Sequence, residues 1–431
     1  GTAICLCATG SAAFGVCIFG RVVYGFGIAF AMHAAPAYIA EMAPSDLRGM
    51  LISLKEAFVV FGVLLAYIVA AITEHYLNDR GDAWRIIWSP PLIFASAGGI
   101  GMLLLPASPR WLVSRGRMEE ATESLRMLRV DAALPMLRCL AWLPNYEQPA
   151  DTSAAIEAEI SDMVFSLRIS KRTVSLSRGM HEADADAAAT AVPSSSICGI
   201  VEDIKDLASA PRALMLGFGL VLLQQLTGQP NVLYYVQSIF ESAGFTSSSA
   251  SNIDILVGAI KLVSTLAVVP FVDRSGRVPL LNIGVTMMLF ALIVLCLGFA
   301  LNPTISGMVF LEGGWPYAVV TALIVFVTGY QVGFGPITWV MISECFPLQL
   351  RVHALSVAAT LNFGFNLIVT LINAPIASVQ GGQATLFGVY AFMCVVALLF
   401  FRYFVPETKG KSLEEIDAMM RRPWSSDGGY K

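Results

Sequence analysis

The sequence predicts an all-α integral membrane protein, and its composition and the lengths of its apolar segments carry this prediction. Hydrophobic residues make up 56% of the 431 residues and charged residues only 13%, with a mean hydropathy of +0.70. Soluble domains contain about 25% charged residues, so this composition excludes an ordinary soluble protein. Apolar stretches recur at the length of roughly 20 residues that a helix needs to cross a bilayer. The net charge of −4 says nothing about nucleic acid, and no basic stripe suggests nucleic acid as a partner.

These stretches predict nine full spans and one partial span. We place them at roughly 1–15 (the partial span), 17–43, 52–73, 86–106, 213–239, 250–272, 278–300, 316–343, 353–376 and 384–405. They divide the chain into a truncated N-terminal transmembrane bundle (1–106), a helical loop (107–212), a C-terminal transmembrane bundle (213–405) and a tail (406–431).

Basic residues predict how the spans are oriented. Of the 27 Lys and Arg residues, 23 fall in 44–55, 107–212, 273–277, 349–352 and 402–431. The connections of opposite parity carry only Arg80 and Arg85. Because cytoplasmic loops are enriched in Lys and Arg, we expect the long loop and the tail to face the cytoplasm.

The loop and the tail contain short amphipathic segments. Apolar residues recur at helical spacing in 118–128, 155–167 and 200–207, and Ser412 with Glu415 forms a capping box for a helix at 412–420. The stretch at 181–196, HEADADAAATAVPSSS, is small, polar and interrupted by proline, which predicts disorder. We expect the helices to lie under the membrane core and to couple its two halves.

A repeated motif predicts that the chain consists of two homologous halves. Glu41 and Glu344 are each followed by Pro three residues later and by Arg seven residues later, at Arg48 and Arg351. Such duplication is typical of transporters whose site lies between the repeats. Four spans lie between Pro211 and Glu344, whereas one full span and the partial span precede Glu41. We therefore expect about 90 residues to be missing before residue 1, relative to an intact architecture of about twelve spans.

The most informative polar residues lie in the middle of the apolar run at 220–235, LVLLQQLTGQPNVLYY. Hydrocarbon offers no partners to the amides of Gln224, Gln225 and Asn231, so we expect these side chains to face a wet or protein-lined cavity. Carboxamides both donate and accept hydrogen bonds, which suits the hydroxyls of a neutral polyol. Gly228 and the adjacent Pro230 predict a bend in this helix. A helix-packing seam joined by polar residues is the alternative.

Two further spans carry polar or aromatic residues that could line the same cavity. Trp339 follows Gly333, Gly335 and Pro336, so its helix is predicted to break, and an aromatic ring beside a break suits stacking on a sugar. An interfacial anchor is the alternative for a lone Trp. Asn362 and Asn366 share one face of the next span, either lining the cavity or joining helices.

Glu56 and Lys261 are charged residues that lie inside predicted spans. Glu56 is about 6 Å from the start of its span at residue 52, and Lys261 is about 18 Å from Asp273, at about 1.5 Å per residue. A carboxylate inside the membrane is a functional candidate by default, although a structural hydrogen-bonding role is equally open. We propose that Glu56 and Lys261 pair in one access state and separate, or exchange a proton, in the other.

Together these motifs resemble the sugar-porter family of the major facilitator superfamily, the facilitative glucose transporters. The resemblance rests on Gly20-Arg21, 41–49, 106–112, 224–228, 273–277, Gly335-Pro336 with Trp339, 344–351, Asn362 with Asn366, and 406–410. It leaves out only about 131–199. Glu56, the TGQPN sequence at 227–231 and Lys261 are most similar to the class III branch, solute carrier family 2 members 10 and 12.

The resemblance implies a fold of two six-helix bundles and transport by alternating access, without a cofactor or a metal. It implies sugar contacts mainly from the C-terminal half, namely Gln224, Gln225, Asn231, Trp339, Asn362 and Asn366. It implies a further contact from the first half at Glu56, where many members carry a sugar-binding glutamine. It also implies a cytoplasmic gating network of Glu41, Arg48, Arg110, Asp273, Arg274, Arg277, Glu344, Arg351 and Glu407. Three positions depart from the family pattern, namely Pro230, Glu56 and Gln331. In addition, Ala107 follows Pro106 where Glu407 follows Pro406 in the second half, so the first half lacks this carboxylate.

The function expected from the sequence is facilitated diffusion of a hexose such as glucose through the plasma membrane or an endomembrane. Proton–sugar symport, suggested by Glu56, is the alternative within transport, and protons are then a second partner. A membrane sugar sensor that signals through the loop is the alternative from another class. No nucleophile–base pair or metal-ligand spacing supports an enzyme.

Overall fold

The structure is a computed structural model of the chain. It describes residues 1–42, 45–77, 83–127, 153–154, 156–165, 211–234, 247–302, 304–305, 308–309, 314–346, 351–377, 379, 381–409, 416 and 419–420. The predicted disorder at 181–196, the helix at 200–207 and the capping box at Ser412 lie outside these residues.

The described part of the chain is almost entirely helical. Its α-helices are α1 (Thr2–Leu6), α2 (Ala13–Met42), α3 (Ser45–Leu77), α4 (Ala83–Ile87), α5 (Pro90–Leu104), α6 (Pro109–Ser114), α7 (Met118–Arg126), α8 (Pro211–Leu226), α9 (Gln229–Tyr234), α10 (Ser247–Ser275), α11 (Arg277–Leu301), α12 (Trp315–Val332), α13 (Phe334–Cys345), α14 (Arg351–Ala377) and α15 (Gly382–Phe404). A short 3-10 helix lies at Gly10–Ala12. Two strands, β1 (Thr304–Ile305) and β2 (Met308–Val309), pair antiparallel with Thr304 opposite Val309.

Seven of the described helical segments are long and apolar enough to cross a membrane. They are Ala13–Met32, Leu54–Tyr76, Ala83–Leu104, Arg277–Leu301, Trp315–Cys345, His353–Ala377 and Gly382–Phe404. Large apolar side chains such as Phe14 and Leu104 are exposed on these segments, as expected of surfaces that lipid covers. The predicted spans at 213–239 and 250–272 correspond to the shorter apolar helix α8 and to α10, which carries Lys261 inside it. The exact number of spans stays a prediction.

The chain divides into two compact units. The first consists of 1–52 and 88–199, and the second of 53–87 and 200–431. The predicted division at residues 106, 212 and 405 stays a prediction.

Helix α1 of the first unit packs on α2. The Cys5 Sγ donates a hydrogen bond to the Cys17 carbonyl at 3.6 Å, and the Cys17 Sγ donates to the Cys5 carbonyl at 3.9 Å. Tyr38 at the other end of α2 donates from its Oη to the Pro106 carbonyl at 2.7 Å. The guanidinium of Arg21 lies 4.6 Å from the ring centroid of Trp88. Cys17, Arg21 and Tyr38 of α2 thus find their partners within this unit.

The core of the second unit is formed where α11 packs against α12 and α15. Gly284 of α11 faces the backbone of Gly329 and Gly333, and a Cβ on Gly284 would overlap these atoms. Small residues allow such close approach of helix backbones. The predicted break in the span at 316–343 is confirmed, because α12 ends and α13 begins at Gly333, whose φ and ψ are −97° and −94°.

Candidate functional site

Gln224 lies near the C-terminal end of α8 and is 2% exposed. Its Nε2 donates to the Tyr330 Oη at 2.7 Å and to the Phe334 carbonyl at 3.4 Å. Both partners flank the break between α12 and α13, where Phe334 begins the second helix. The Gln224 Oε1 has no hydrogen-bond partner among the described residues. An unsatisfied buried acceptor is costly, so this oxygen is suited to a ligand hydroxyl.

Gln225 also is 2% exposed and connects α8 to α14. Its Nε2 donates to the Asn362 Oδ1, and its Oε1 accepts from the Asn366 Nδ2 at 3.3 Å. Asn362 and Asn366 are partly buried. The structure therefore brings together four of the predicted site residues, Gln224, Gln225, Asn362 and Asn366, which we call the amide cluster.

Gly228 separates α8 from α9 and places the carboxamides at a bend. Its φ of +90° is a conformation that L side chains rarely adopt, and a Cβ here would overlap the ring of Tyr390. The Thr227 Oγ1 donates to the Gln224 carbonyl at 3.1 Å, which satisfies a carbonyl at the end of α8. Asn231 lies in α9, and its side chain is outside the described part of the structure.

Trp339 lies in α13 and is partly buried. Its side chain packs against an apolar cluster that includes Ala213, Val221 and Phe346. The Lys55 Nζ lies 5.9 Å from the centroid of its ring. The structure thus places a cation, and apolar side chains, around the ring that we predicted to stack on sugar.

Glu56 of α3 and Lys261 of α10, which we call the charge pair, lie in the same unit. Their charges interact electrostatically, and Lys55 contributes a second positive charge near Glu56. Within the described residues, the two side chains form no ion pair at 4.0 Å or less. Lys261 is 7% exposed, so its ammonium group has little access to bulk water.

A chain of hydrogen bonds links α10 to α12 beside the charge pair. The Thr265 Oγ1 donates to the Lys261 carbonyl at 2.8 Å, and the Gln331 Nε2 donates to the Thr265 Oγ1. Gln331 is fully buried, and its Oε1 has no partner among the described residues. Sequence reasoning missed Tyr330 and Thr265, because a single phenol or hydroxyl in an apolar run forms no pattern. The available signal for Tyr330 was its position near a predicted helix break.

A second polar cluster lies where α11 begins and α13 ends. The Arg277 Nη2 lies 2.9 Å from the Glu344 Oε1, and the Thr408 Oγ1 donates to the Glu344 Oε2 at 2.6 Å. Glu407 accepts the backbone N–H groups of Arg277 and Val278, each at 3.0 Å. We call Arg277, Glu344, Glu407 and Thr408 the cytoplasmic network, following the predicted orientation.

The environment of Glu407 stabilises its ionised form. Partial burial raises the pKa of its carboxyl, but hydrogen bonds from the backbone outweigh burial and lower the pKa below its ordinary value; the donors are Lys409, Arg277, Val278 and Thr408. Gly276, with φ of +91°, lies against this carboxylate, and a Cβ there would lie 2.9 Å from the Glu407 Oε2. The carboxylate therefore ties the tail to the start of α11.

The other predicted members of the gating network are not brought together by the described residues. Arg110 is exposed on α6 in the first unit. The side chains of the remaining members lie outside the described part: Glu41, Arg48, Asp273, Arg274 and Arg351.

Comparison with known families and proteins identifies sugar transporters. Residues 1–151 and 166–420 match a family model described as "Sugar (and other) transporter". The chain is 38% identical over 414 residues to D-xylose-proton symporter-like 2 of Arabidopsis thaliana, which covers 94% of this chain and 71% of that protein. It is 30% identical over 414 residues to the major myo-inositol transporter IolT of Bacillus subtilis (strain 168), covering 94% of this chain and 74% of that protein.

Solved structures agree with this result. The proton:xylose symporter XylE of the major facilitator superfamily, bound to 6-bromo-6-deoxy-D-glucose, matches with a TM-score of 0.68 and 26% identity, covering 95% of this chain and 75% of that chain. The partially occluded, inward-open conformation of the xylose transporter XylE from E. coli matches with a TM-score of 0.66 and 25% identity, covering 93% of this chain and 74% of that chain.

Proposed function

Because the chain belongs to the sugar (and other) transporter family of the major facilitator superfamily, we propose that it carries a neutral monosaccharide across a membrane in symport with protons. The chain is a multi-pass membrane protein with the all-helical major facilitator fold, and its family consists of transporters rather than enzymes. The coupling ion and the choice of sugar are the parts that we propose.

The amide cluster is the observation that carries the proposal for the substrate. Its members are uncharged, and their carboxamides offer donors and acceptors at one place between α8 and α14. The partnerless Oε1 of the buried Gln224 adds an acceptor for a substrate hydroxyl. Sugars present several hydroxyls and no charge, so this set of groups fits them better than it fits an ion.

Sugar identity stays open to experiment within this proposal. We expected a hexose from the sequence, whereas the names of the relatives refer to D-xylose and to myo-inositol. All three are neutral polyols, so the amide chemistry alone does not discriminate among them. A hexose remains our first candidate for transport and D-xylose the second.

Proton symport now takes precedence over facilitated diffusion as the transport mode. The relative that is 38% identical is named a proton symporter-like protein, and the XylE structure is that of a proton symporter. Facilitated diffusion, the mode expected from the sequence, remains the second candidate. We further propose the plasma membrane or an endomembrane as the location, with the loop at 107–212 and the tail in the cytoplasm.

Transport by purified protein in proteoliposomes tests this proposal. We expect counterflow of labelled D-glucose or D-xylose that excess unlabelled sugar inside the vesicles accelerates, and alkalinisation of the external medium when sugar is added outside. Counterflow without a pH change would favour facilitated diffusion. Binding without counterflow would favour the sensor and overturn transport. Protein-free liposomes and a charged sugar, glucuronate, serve as controls.

A further inference from the structure

The charge pair of Glu56 and Lys261 takes no part in the amide cluster. Glu56 lies within the membrane-spanning segment Leu54–Tyr76, and Lys261 lies in the middle of α10. Charged groups inside a span are expensive, and ordinary packing does not require them. We therefore expect Glu56 and Lys261 to have a role in transport.

Helices α3 and α10 approach each other at Gly258, three residues before Lys261. A Cβ on Gly258 would lie 3.0 Å from the Tyr67 Cδ2 and 3.3 Å from the Leu64 Cα. This glycine thus lets the backbones approach. Separation of the two helices at this point would also move Lys261 away from Glu56, which lies eight residues before Leu64 on α3.

Two ammonium groups act electrostatically on the Glu56 carboxyl. Lys261 acts on it from α10, and Lys55 acts on it from α3 itself and lies over the ring of Trp339 on α13. The Glu56 side chain is partly buried within its span, and both cations compensate its charge when it is ionised. A carboxyl in this position can bind and release a proton during a transport cycle. Asp254, the other buried carboxyl of α10, is seven residues from Lys261, or about 10 Å along the helix, and is too distant to replace Glu56.

Hydrogen bonds connect α10, the helix that carries Lys261, to the last turn of α12. Thr265 donates to the backbone carbonyl of Lys261 and accepts from Gln331, while Tyr330, next to Gln331, accepts from Gln224. Tyr330 and Gln331 belong to the last turn of α12, directly before the break at Gly333. A movement of this turn therefore changes the contact with α10 at Thr265 and the contact with the amide cluster at Gln224 together.

We propose that Glu56 is the proton-binding group of the symporter, with Lys261 as its counter-charge, and that Thr265 and Gln331 couple the pair to the sugar site. This inference rests on the proposed symport. A proton from water on one side forms an O–H bond with the Glu56 carboxylate, and the same bond breaks when the proton leaves to water on the other side. Lys261 stays protonated throughout, so the pair changes from a net charge of zero to +1 on loading.

Glu56→Gln, which fixes a neutral side chain, tests the proposal in proteoliposomes. We measure sugar-evoked alkalinisation and labelled sugar flux in the same preparation, and we report protons moved per sugar. We expect this ratio to fall about tenfold or more, and the residual sugar flux to lose its dependence on pH. Glu74→Gln, which removes a carboxylate from the same helix, is the matched control and should keep the wild-type ratio.

A double variant distinguishes loss of coupling from loss of folding. Glu56→Gln and Lys261→Met each leave one charge of the pair without its partner, which is costly, so both singles should lower sugar flux. The double variant should recover sugar flux above either single while its proton-to-sugar ratio stays low. A Glu56→Gln protein with the wild-type ratio would overturn the inference, as would a double variant no better than the singles. Wild-type protein that moves sugar but no protons would instead overturn the proposed symport.

Discussion

Gln225 joins the two polar helices of the amide cluster, because its carboxamide donates to Asn362 and accepts from Asn366. The sequence predicted these three residues as site members from their position in apolar spans and from the spacing of the two asparagines. It did not predict Tyr330 as the partner of Gln224, since phenols occur widely in buried helices and carry no pattern. Nor did it predict that Lys55 lies over Trp339, because that contact joins distant parts of the chain.

Gln225→Ala should weaken sugar binding more than it weakens folding. The change removes the carboxamide that donates to Asn362 and accepts from Asn366, so both asparagines lose the group that orders them. We therefore expect the apparent KM for sugar to rise about tenfold, equivalent to about 1.4 kcal/mol. Sugar uptake at several concentrations measures this change. Asn282→Ala is a matched control, since the Asn282 amide donates to the Val278 carbonyl within α11. An unchanged KM in Gln225→Ala would remove Gln225 from the binding site.

At the scale of the element, glycines decide where helices approach and where they break. Runs of apolar residues predicted the spans. Gly333, Gly335 and Pro336 predicted a break in one of them, and α12 and α13 confirm that break. The close approach of α11 to α12 at Gly284 could not be predicted, because one sequence does not show which glycine faces a neighbouring backbone. Local hydrophobic periodicity does not predict contacts between helices that are remote in sequence.

Gly284→Ala should lower stability because its new methyl group would overlap the backbone of α12. Overpacking in a close-packed core costs about 1–3 kcal/mol. We expect a lower melting temperature in detergent, measured by the exposure of buried cysteines to a thiol-reactive dye. Gly62→Ala in α3 introduces the same methyl group where no atom lies within 4 Å, and it should melt like the wild type. Equal melting of the two variants would contradict the close approach.

Glu407→Gln should destabilise the protein at neutral pH through the link between the tail and α11. The pKa of the Glu407 carboxyl is lowered in the folded state, so its contribution is present above the unfolded pKa and is lost as the pH falls through the lower, folded pKa. The variant should therefore melt below the wild type at pH 7, and the difference should shrink below about pH 4. Melting curves across this range measure the effect.

Glu120→Gln provides the contrast for Glu407. Arg117 and Glu120 form an exposed ion pair on α7, with side chains 51% and 55% exposed. Exposed pairs contribute little to stability, so this variant should melt like the wild type at both pH values. A Glu407→Gln protein with no deficit at pH 7 would show that the backbone donors do not hold the carboxylate.

At the scale of the whole molecule, composition and duplication predicted the class of fold. The all-helical fold and the sugar-transporter family are confirmed by the matches to the family model and to XylE. The orientation rests on 23 of the 27 basic residues and stays a prediction, as does the cytoplasmic placement of the loop.

Epitope tags test the orientation in intact cells. A tag after Lys431 should bind antibody only after permeabilisation, because basic residues concentrate in the tail. A tag inserted next to Arg80, between α3 and α4, lies in a connection of opposite parity and should bind in intact cells if the protein is at the cell surface. Detection of both tags on the same side would contradict the predicted orientation.

The break at Gly333 divides a 31-residue membrane segment into two rods. The rod formed by α12 carries Tyr330 and Gln331 in its last turn. The rod formed by α13 ends close to the ion pair of Glu344 with Arg277. Rotation about the dihedral angles of one glycine can tilt the first rod while the second stays anchored. One half of the span could thus release a sugar while the other half keeps the ion pair of Glu344 with Arg277.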